Sequence, residues 1–439
     1  MEAKRAVAEK PTSSGIVRSF PISEAFAGPE ATAPDYSRFK PVLLGLALTV
    51  AQIAIALFIL APDGPLSQRY NSLIQHDSFW FMNIMDRGYQ TIVPPINHKV
   101  MEVSNVGFFP GYPALASLLQ ALFRLDTGVA LLIAAQLAAW GFWTYFFLFC
   151  ERWNLPVGLR SLGALLIAAH PAAFYLVSAY SESLFLMTLL GFIYWSDQEG
   201  RLAKVLAGLH GIVMTATRIV GVPCAAYPLI RAVFVKGRPV MGNSRRWISK
   251  YGPAAVSTLI AVLGAIFFFI YCQVRWGRWD IYMLTQSAGW SIEPDYLAVF
   301  RPSSYRWLIP ALNDPTQVSQ MAMTLGGLLL VGVVVCELIP AIRRHTRWQA
   351  RIGIYFCAAV LYYLSVSGVA SIDMESMLRY EFCCHALIVL AFLHFLRQFR
   401  FPPVLLKTVA MATAALVGAA GLCIQGWFVW NFMRGNWVA

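Results

Sequence analysis

Apolar runs of roughly 20 residues recur along this chain from Pro41 onward, and that is the length an α-helix needs to cross a bilayer. Hydrophobic residues make up 58% of the chain and charged residues 13%, about half the usual charged share. A water-soluble fold could not cover its surface with so few charges. The chain therefore reads as an all-α polytopic membrane protein. The run lengths exclude an outer-membrane barrel, whose strands alternate over about 10 residues, and the composition excludes a coiled coil, a disordered chain and a secreted disulfide scaffold.

Lys and Arg total 34 against 22 Asp and Glu, a formal net charge of +12. In a soluble protein that excess would suggest a nucleic-acid partner, but in a membrane protein it belongs to the cytoplasmic loops, so no nucleic-acid partner is expected. The eight cysteines lie in or beside apolar segments, with no CxxC pair and no Cys/His cluster, and read as small core hydrophobes. Residues 1–38 are polar and rich in Ala, Pro and Ser. This predicts a disordered cytoplasmic tail with no cleavable signal peptide, followed by one membrane domain over 39–439.

The first span, 41–61, follows Lys4, Arg5, Lys10, Arg18, Arg38 and Lys40, which sets the amino terminus in the cytoplasm. A long first outer loop over 62–126 comes next. Within it, Ser72 to Asp86 has the apolar and polar alternation of a helix lying in the interface. Phe108 to Leu125 is apolar but short and opens on Phe108-Phe109-Pro110-Gly111-Tyr112-Pro113, so it is assigned as a partial or re-entrant element. With that choice the further spans fall near 127–150, 160–178, 181–197, 203–217, 219–235, 251–274, 319–340, 351–370, 381–397 and 403–430, about eleven in all. Every strongly basic loop then lies inside. The irregular pieces carrying Asp77, His170 to Glu182, Arg218 and Asp373 to Glu381 gather on the opposite face. The outer loop 274–317 carries Trp276, Trp279, Trp290 and Trp307, the composition of an interfacial aromatic belt.

Four ionisable residues on that face stand out. Asp77, in His76-Asp77-Ser78-Phe79-Trp80, reads either as a solvated or helix-capping carboxylate or as a general base sheltered by an apolar neighbourhood. Asp86 adjoins Arg87, and a solvated face explains both. Glu182, in Tyr180-Ser181-Glu182-Ser183, reads as an N-terminal helix cap or as a site residue in a polar cavity. Arg218 and Arg379 interrupt apolar sequence on the side opposite the basic loops, either snorkelling to the interface or presenting paired hydrogen bonds to a lipid phosphate. Glu381 is a mundane local partner for Arg379 by sequence proximity. There is no Gly-rich phosphate loop, no HExxH, no GxSxG and no DxD in the outer loop, which argues against a nucleotide-using cytoplasmic site.

Asp77, Gly88-Tyr89, Glu102 and Phe108-Phe109-Pro110-Gly111-Tyr112-Pro113, taken in order, resemble the first outer loop of the PIG-V family, the second mannosyltransferases of GPI-anchor synthesis and their bacterial relatives. His170-Pro171-Ala172-Ala173-Phe174, Ala179-Tyr180-Ser181-Glu182-Ser183-Leu184-Phe185 and Ala216-Thr217-Arg218 extend the resemblance over most of the chain. It implies a GT-C glycosyltransferase in a bacterial inner membrane, or in the endoplasmic reticulum of a eukaryote, acting on the non-cytoplasmic side. The implied partners are a polyprenyl-phosphate mannose donor, a lipid or glycan acceptor and membrane lipids. Asp77 then becomes the catalytic base, Arg218 and Arg379 the donor-phosphate ligands, and Glu182, Tyr180, His76 and Glu102 substrate-orienting residues. The family commonly has Trp where this chain has His76, which puts the local substrate contacts in doubt. No metal or other cofactor is required by the sequence; a divalent metal, which Glu182 would orient in place of the acceptor, is the alternative that no motif supports. The rival class is a lipid or sugar transporter or flippase whose substrate path the same charges would line.

Overall fold

The computed structural model describes residues 39–91, 104–236, 244–311, 314–339, 351–398 and 404–438. The expected tail over 1–38 and Glu102 lie outside the described residues. In chain order the helices are α1 (Lys40–Ile55, continued by a wider turn over Ala56–Leu60), α2 (Leu66–Asn71), α3 (Asp77–Arg87), α4 (Gly111–Phe123), α5 (Thr127–Arg152), α6 (Val157–Ala168), α7 (Glu182–Ser196) and α8 (Arg201–Thr217). They continue with α9 (Gly221–Cys224), α10 (Tyr227–Lys236), α11 (Ser244–Trp276), α12 (Ile281–Trp290), α13 (Pro315–Leu338), α14 (Ile352–Val369), α15 (Met377–Gln398) and α16 (Val404–Phe432). There is no strand among the described residues.

Seven helices among the described residues are long and apolar enough to span a bilayer: Lys40–Leu60, Thr127–Arg152, Tyr251–Trp276, Thr316–Cys336, Ile352–Ile372, Met377–Arg397 and Ala412–Phe432. The protein is an all-α, multi-pass integral membrane protein. The remaining expected spans correspond to helices shorter than these seven, and two of them need correction. The span expected over 160–178 ends as a helix at Ala168, because Pro171 cannot supply an amide to continue it, and the chain proceeds through a short 3₁₀ turn over Ala173–Leu176. The span expected over 219–235 is divided into α9 and α10. The stretch assigned from sequence as a partial element forms α4, whose 13 residues rise roughly 20 Å against a hydrocarbon core of about 30 Å. Pro113 fits its first turn, where no backbone donor is lost.

The core centres on α5, whose Leu131, Ala134, Ala135, Ala138, Phe142, Trp143 and Phe146 are all buried, and on α7, α14 and α15. Helix α7 is held by ion pairs at both ends. Glu182 begins it, and Asp197 ends it by bonding Arg231 Nε at 2.9 Å and Arg152 Nη1 at 3.6 Å.

Non-helical backbone inside such a bundle survives only where its polar groups find partners. The link from His170 to Ser181 meets that condition: Gln425 Nε2 donates to the carbonyls of Ala168 at 2.8 Å and His170 at 3.1 Å, and Gln136 Nε2 donates to Val177 O at 3.3 Å. The Ala179 amide donates to Leu73 O at 3.2 Å, and Ser78 Oγ donates to Ala179 O at 3.0 Å. These last two bonds tie the start of α3 to the start of α7.

Candidate active site

Asp77 is the first residue of α3 and Glu182 the first of α7, so the Ser78 to Ala179 bond brings two carboxylates to one place. Arg379, in the first turn of α15, joins them: its Nη1 lies 2.5 Å from Asp77 Oδ2 and its Nε 3.2 Å from Glu182 Oε1. Arg218, where α8 ends, donates from Nη1 to the same Glu182 oxygen at 2.8 Å. The result is an alternating chain, Asp77, Arg379, Glu182, Arg218, in which each positive group touches a negative one.

Its position relative to the expectations is plain. The four ionisable residues singled out from sequence meet in one cluster, but Glu381 is not the partner of Arg379. Residues two apart on a helix point to different faces, and the Glu381 carboxylate turns away to His170, at 2.6 Å from Nε2. Asp86 accepts from Thr127 Oγ1 at 2.6 Å, consistent with its role outside the site. His76, just before Asp77, faces the carboxyl-terminal segment: its Nε2 lies 3.2 Å from Asn436 O and its ring meets Trp437 edge-on at 5.0 Å.

Aromatic rings enclose the guanidiniums. Arg379 lies 5.9, 5.4 and 5.2 Å from the ring centres of Tyr175, Tyr180 and Tyr380, and Arg218 is 4.8 Å from that of Tyr380. Side-chain exposure rises from 2% at Glu182 through 8% at Arg379 and 13% at Arg218 to 18% at Asp77, so Asp77 is the open end. Burial is the largest single influence on Arg218 and opposes its charge, but the Glu182 carboxylate together with Cys383 and Tyr380 holds the guanidinium pKa above its ordinary value. Burial, with the Asp77 charge beside it, raises the Tyr180 phenol well above its usual range, so that hydroxyl keeps its proton.

Polar groups without partners mark the same place. Tyr180 Oη, Glu182 Oε2 and Ser183 Oγ are buried and make no hydrogen bond. Leaving such groups unpaired costs about 1–3 kcal/mol each, more for a charged oxygen, so each calls for a partner of the kind a ligand, an ion or a water supplies.

The motif that opens α4 also has its reason here. A side chain at Gly111 would put its Cβ 2.7 Å from Thr217 Oγ1 and 2.8 Å from the Ala216 carbonyl, so only glycine lets α4 sit against the end of α8 beside Arg218. Beside α3, Trp80 packs on Phe108 and Trp290, with ring centres 6.0 and 5.7 Å away. Trp290 thus lines this wall, unlike Trp279 and Trp307, which stay exposed as an interfacial belt requires.

No protein-family model and no curated protein sequence matches the chain. Among solved structures it is similar to the archaeal oligosaccharyltransferase AglB from Archaeoglobus fulgidus, in complex with an inhibitory peptide and a dolichol-phosphate, at 13% identity and a TM-score of 0.45 over 92% of this chain and 56% of that one. It is also similar to ArnT from Cupriavidus metallidurans in the apo state, at 11% identity and a TM-score of 0.49 over 91% of this chain and 78% of that one. The chain spans little more than half the length of AglB.

Sequence reasoning missed one group. His170, Glu381 and His385 bring metal-binding atoms within 4.8 Å of one another. The available signal was Glu381 and His385 four residues apart in an apolar run, a spacing that puts two ionisable side chains on one face of a membrane helix.

Proposed function

We propose that the chain is an inverting GT-C membrane glycosyltransferase that moves mannose from a polyprenyl-phosphate mannose to a lipid-linked or glycolipid acceptor on the non-cytoplasmic face. The observation that carries this reading is the chain of Asp77, Arg379, Glu182 and Arg218, open at Asp77 and flanked by partnerless Tyr180 Oη and Glu182 Oε2. The family resemblance of the sequence supplies the sugar and the lipid.

The chemistry follows from competition for Arg379. While its guanidinium holds Asp77, the Oδ2 atom is engaged by Arg379 Nη1 and is not free to receive a proton. A donor phosphate offers the two guanidiniums a second anion with three oxygens, and forked hydrogen bonds to it suit Arg better than a single carboxylate contact does. Arg379 and Arg218 turn to the phosphate, and Asp77 is released to an acceptor hydroxyl. The acceptor oxygen attacks the anomeric carbon in line, the bond from that carbon to the phosphate oxygen breaks, and Asp77 takes the hydroxyl proton. The departing lipid phosphate carries the electron pair, and the arginines offset its charge. Tyr180 and Glu182 Oε2 orient the acceptor. Coupling base release to donor binding keeps the base idle when no sugar is present.

The deciding experiment incubates purified protein with radiolabelled polyprenyl-phosphate mannose and total lipid extract. Mannose in a new α-linkage on an acceptor lipid is the expected product. If label never leaves the donor while the donor itself moves between vesicle leaflets, the protein is a transporter and this reading fails.

A further inference from the structure

Glu381 and His385 stand four residues apart on α15, and His170 approaches them from the end of α6. All three are at least five-sixths buried, with side-chain exposures of 2%, 16% and 7%. Glu381 Oε2 is 2.6 Å from His170 Nε2, and Glu381 Oε1 is 3.8 Å from His385 Nδ1.

The second nitrogen of each ring decides what the first can do. The Ala172 amide donates to His170 Nδ1 at 3.1 Å, so that nitrogen has no proton. A neutral His170 therefore carries its proton on Nε2 and donates it to Glu381 Oε2. His385 Nε2 lies 3.2 Å from the Leu166 carbonyl oxygen, which can only accept. That places a proton on Nε2 and leaves Nδ1 facing Glu381 Oε1. The two atoms stand 3.8 Å apart in a buried place, too far for direct bonding and spaced for an ion between them. Bonds of about 2.1–2.2 Å to a divalent metal would span the 3.8 Å with an angle of roughly 120–130° at the ion.

We propose that Glu381 and His385 are ligands of a divalent transition-metal ion and that His170 is the positioning residue that fixes the carboxylate. One imidazole and one carboxylate select zinc, iron(II) or manganese(II) over calcium or magnesium, which prefer all-oxygen shells. Two protein ligands leave coordination positions for water or another donor. Helix α13 shapes the carboxylate side: a Cβ at Gly326 would lie 2.7 Å from Glu381 Oε1. The site does not depend on the glycosyl-transfer reading, since it uses none of Asp77, Glu182, Arg218 or Arg379.

The test uses the full chain in detergent, without an affinity tag, stripped by chelator and titrated with Co²⁺ and then Zn²⁺. One equivalent of Co²⁺ should bind, with visible absorption from an imidazole-ligated ion, and Zn²⁺ should displace it. Glu381→Gln and His385→Gln should each bind Co²⁺ at least about 100-fold more weakly, whereas His170→Gln should lose only about 10- to 100-fold, the usual effect of an outer-shell partner. A purely structural cluster would not order the three variants this way. X-ray absorption at the cobalt edge of the wild-type protein needs no variant to fold and should report a single imidazole. Failure of the wild-type protein to bind either metal, unaltered binding in Glu381→Gln and His385→Gln, or a spectrum with two imidazoles or none would each overturn the assignment.

Discussion

Arg379 Nη1 lies 2.5 Å from Asp77 Oδ2, a contact between residues 302 positions apart in the chain. It joins the first turn of α15, a long apolar helix, to the start of the short helix α3. In the proposed reaction it is also the contact that donor binding must exchange, so the expected behaviour of variants follows from it.

Asp77→Asn removes the proton acceptor yet keeps an oxygen for Arg379. Transfer is expected to fall by about 100-fold or more, within the usual worth of general-base catalysis, up to about 10⁴. Donor binding and thermal stability should change little. Asp86→Asn still accepts from Thr127 and should retain most activity, so equal losses in the two variants, measured by initial transfer rates, would remove Asp77 from its role.

Lysine at either arginine keeps the charge and loses the fork. Arg218→Lys and Arg379→Lys should weaken donor affinity or rate by roughly 10- to 150-fold, the equivalent of about 1.5–3 kcal/mol for a charge-assisted hydrogen bond. Arg379→Lys should be the more severe, because Arg379 approaches two carboxylates and Arg218 one. Acceptor affinity should stay nearly constant. Arg379→Ala leaves Asp77 without its partner and Glu182 with Arg218 alone, and should destabilise the protein by less than the roughly 3–5 kcal/mol of a fully unpaired buried charge, read as a drop in Tm in detergent.

Gly111→Ala places a methyl group 2.7 Å from Thr217 Oγ1. The start of α4 must move away from the end of α8, at an expected cost of about 1–3 kcal/mol for overpacking. Because Arg218 follows Thr217 directly, activity should fall more than Tm accounts for. An active enzyme with a wild-type Tm would mean that the close approach has no bearing on the site.

The sidedness of the loops can be read by labelling single cysteines in a background without the native eight. Ser181 is buried and unsuited to this, whereas Phe79 and Trp307 are 55% and 67% exposed and Glu199 is also exposed. Phe79→Cys and Trp307→Cys should react with an impermeant reagent from the non-cytoplasmic side, and Glu199→Cys only from the cytoplasm. Labelling of positions 79 and 307 from opposite sides would undo the expected topology.

How much could be read in advance follows from which forces are local. Hydrophobic run length marked most of the helices, and the cost of an ionisable group in an apolar run marked Asp77, Glu182, Arg218 and Arg379 as residues needing an explanation. The break after Ala168 was also available, since Pro171 stands there, but the apolar run to Ser178 masked it because hydropathy does not register a missing amide. In α4 the prolines are at its start, where they limit the helix without cutting it, and it runs for 13 residues.

The sequence by itself determined that this chain is a bundle of membrane helices, and which few side chains would be too costly to leave unpaired, because transfer of apolar and charged groups from water depends on residue type and run length alone. Only the tertiary structure decided the pairing. Glu381 is two residues from Arg379 and yet bonds His170, while Arg379 reaches Asp77, because helical geometry turns neighbours two apart to different faces and leaves each charge to whatever the packed helices bring within about 3 Å.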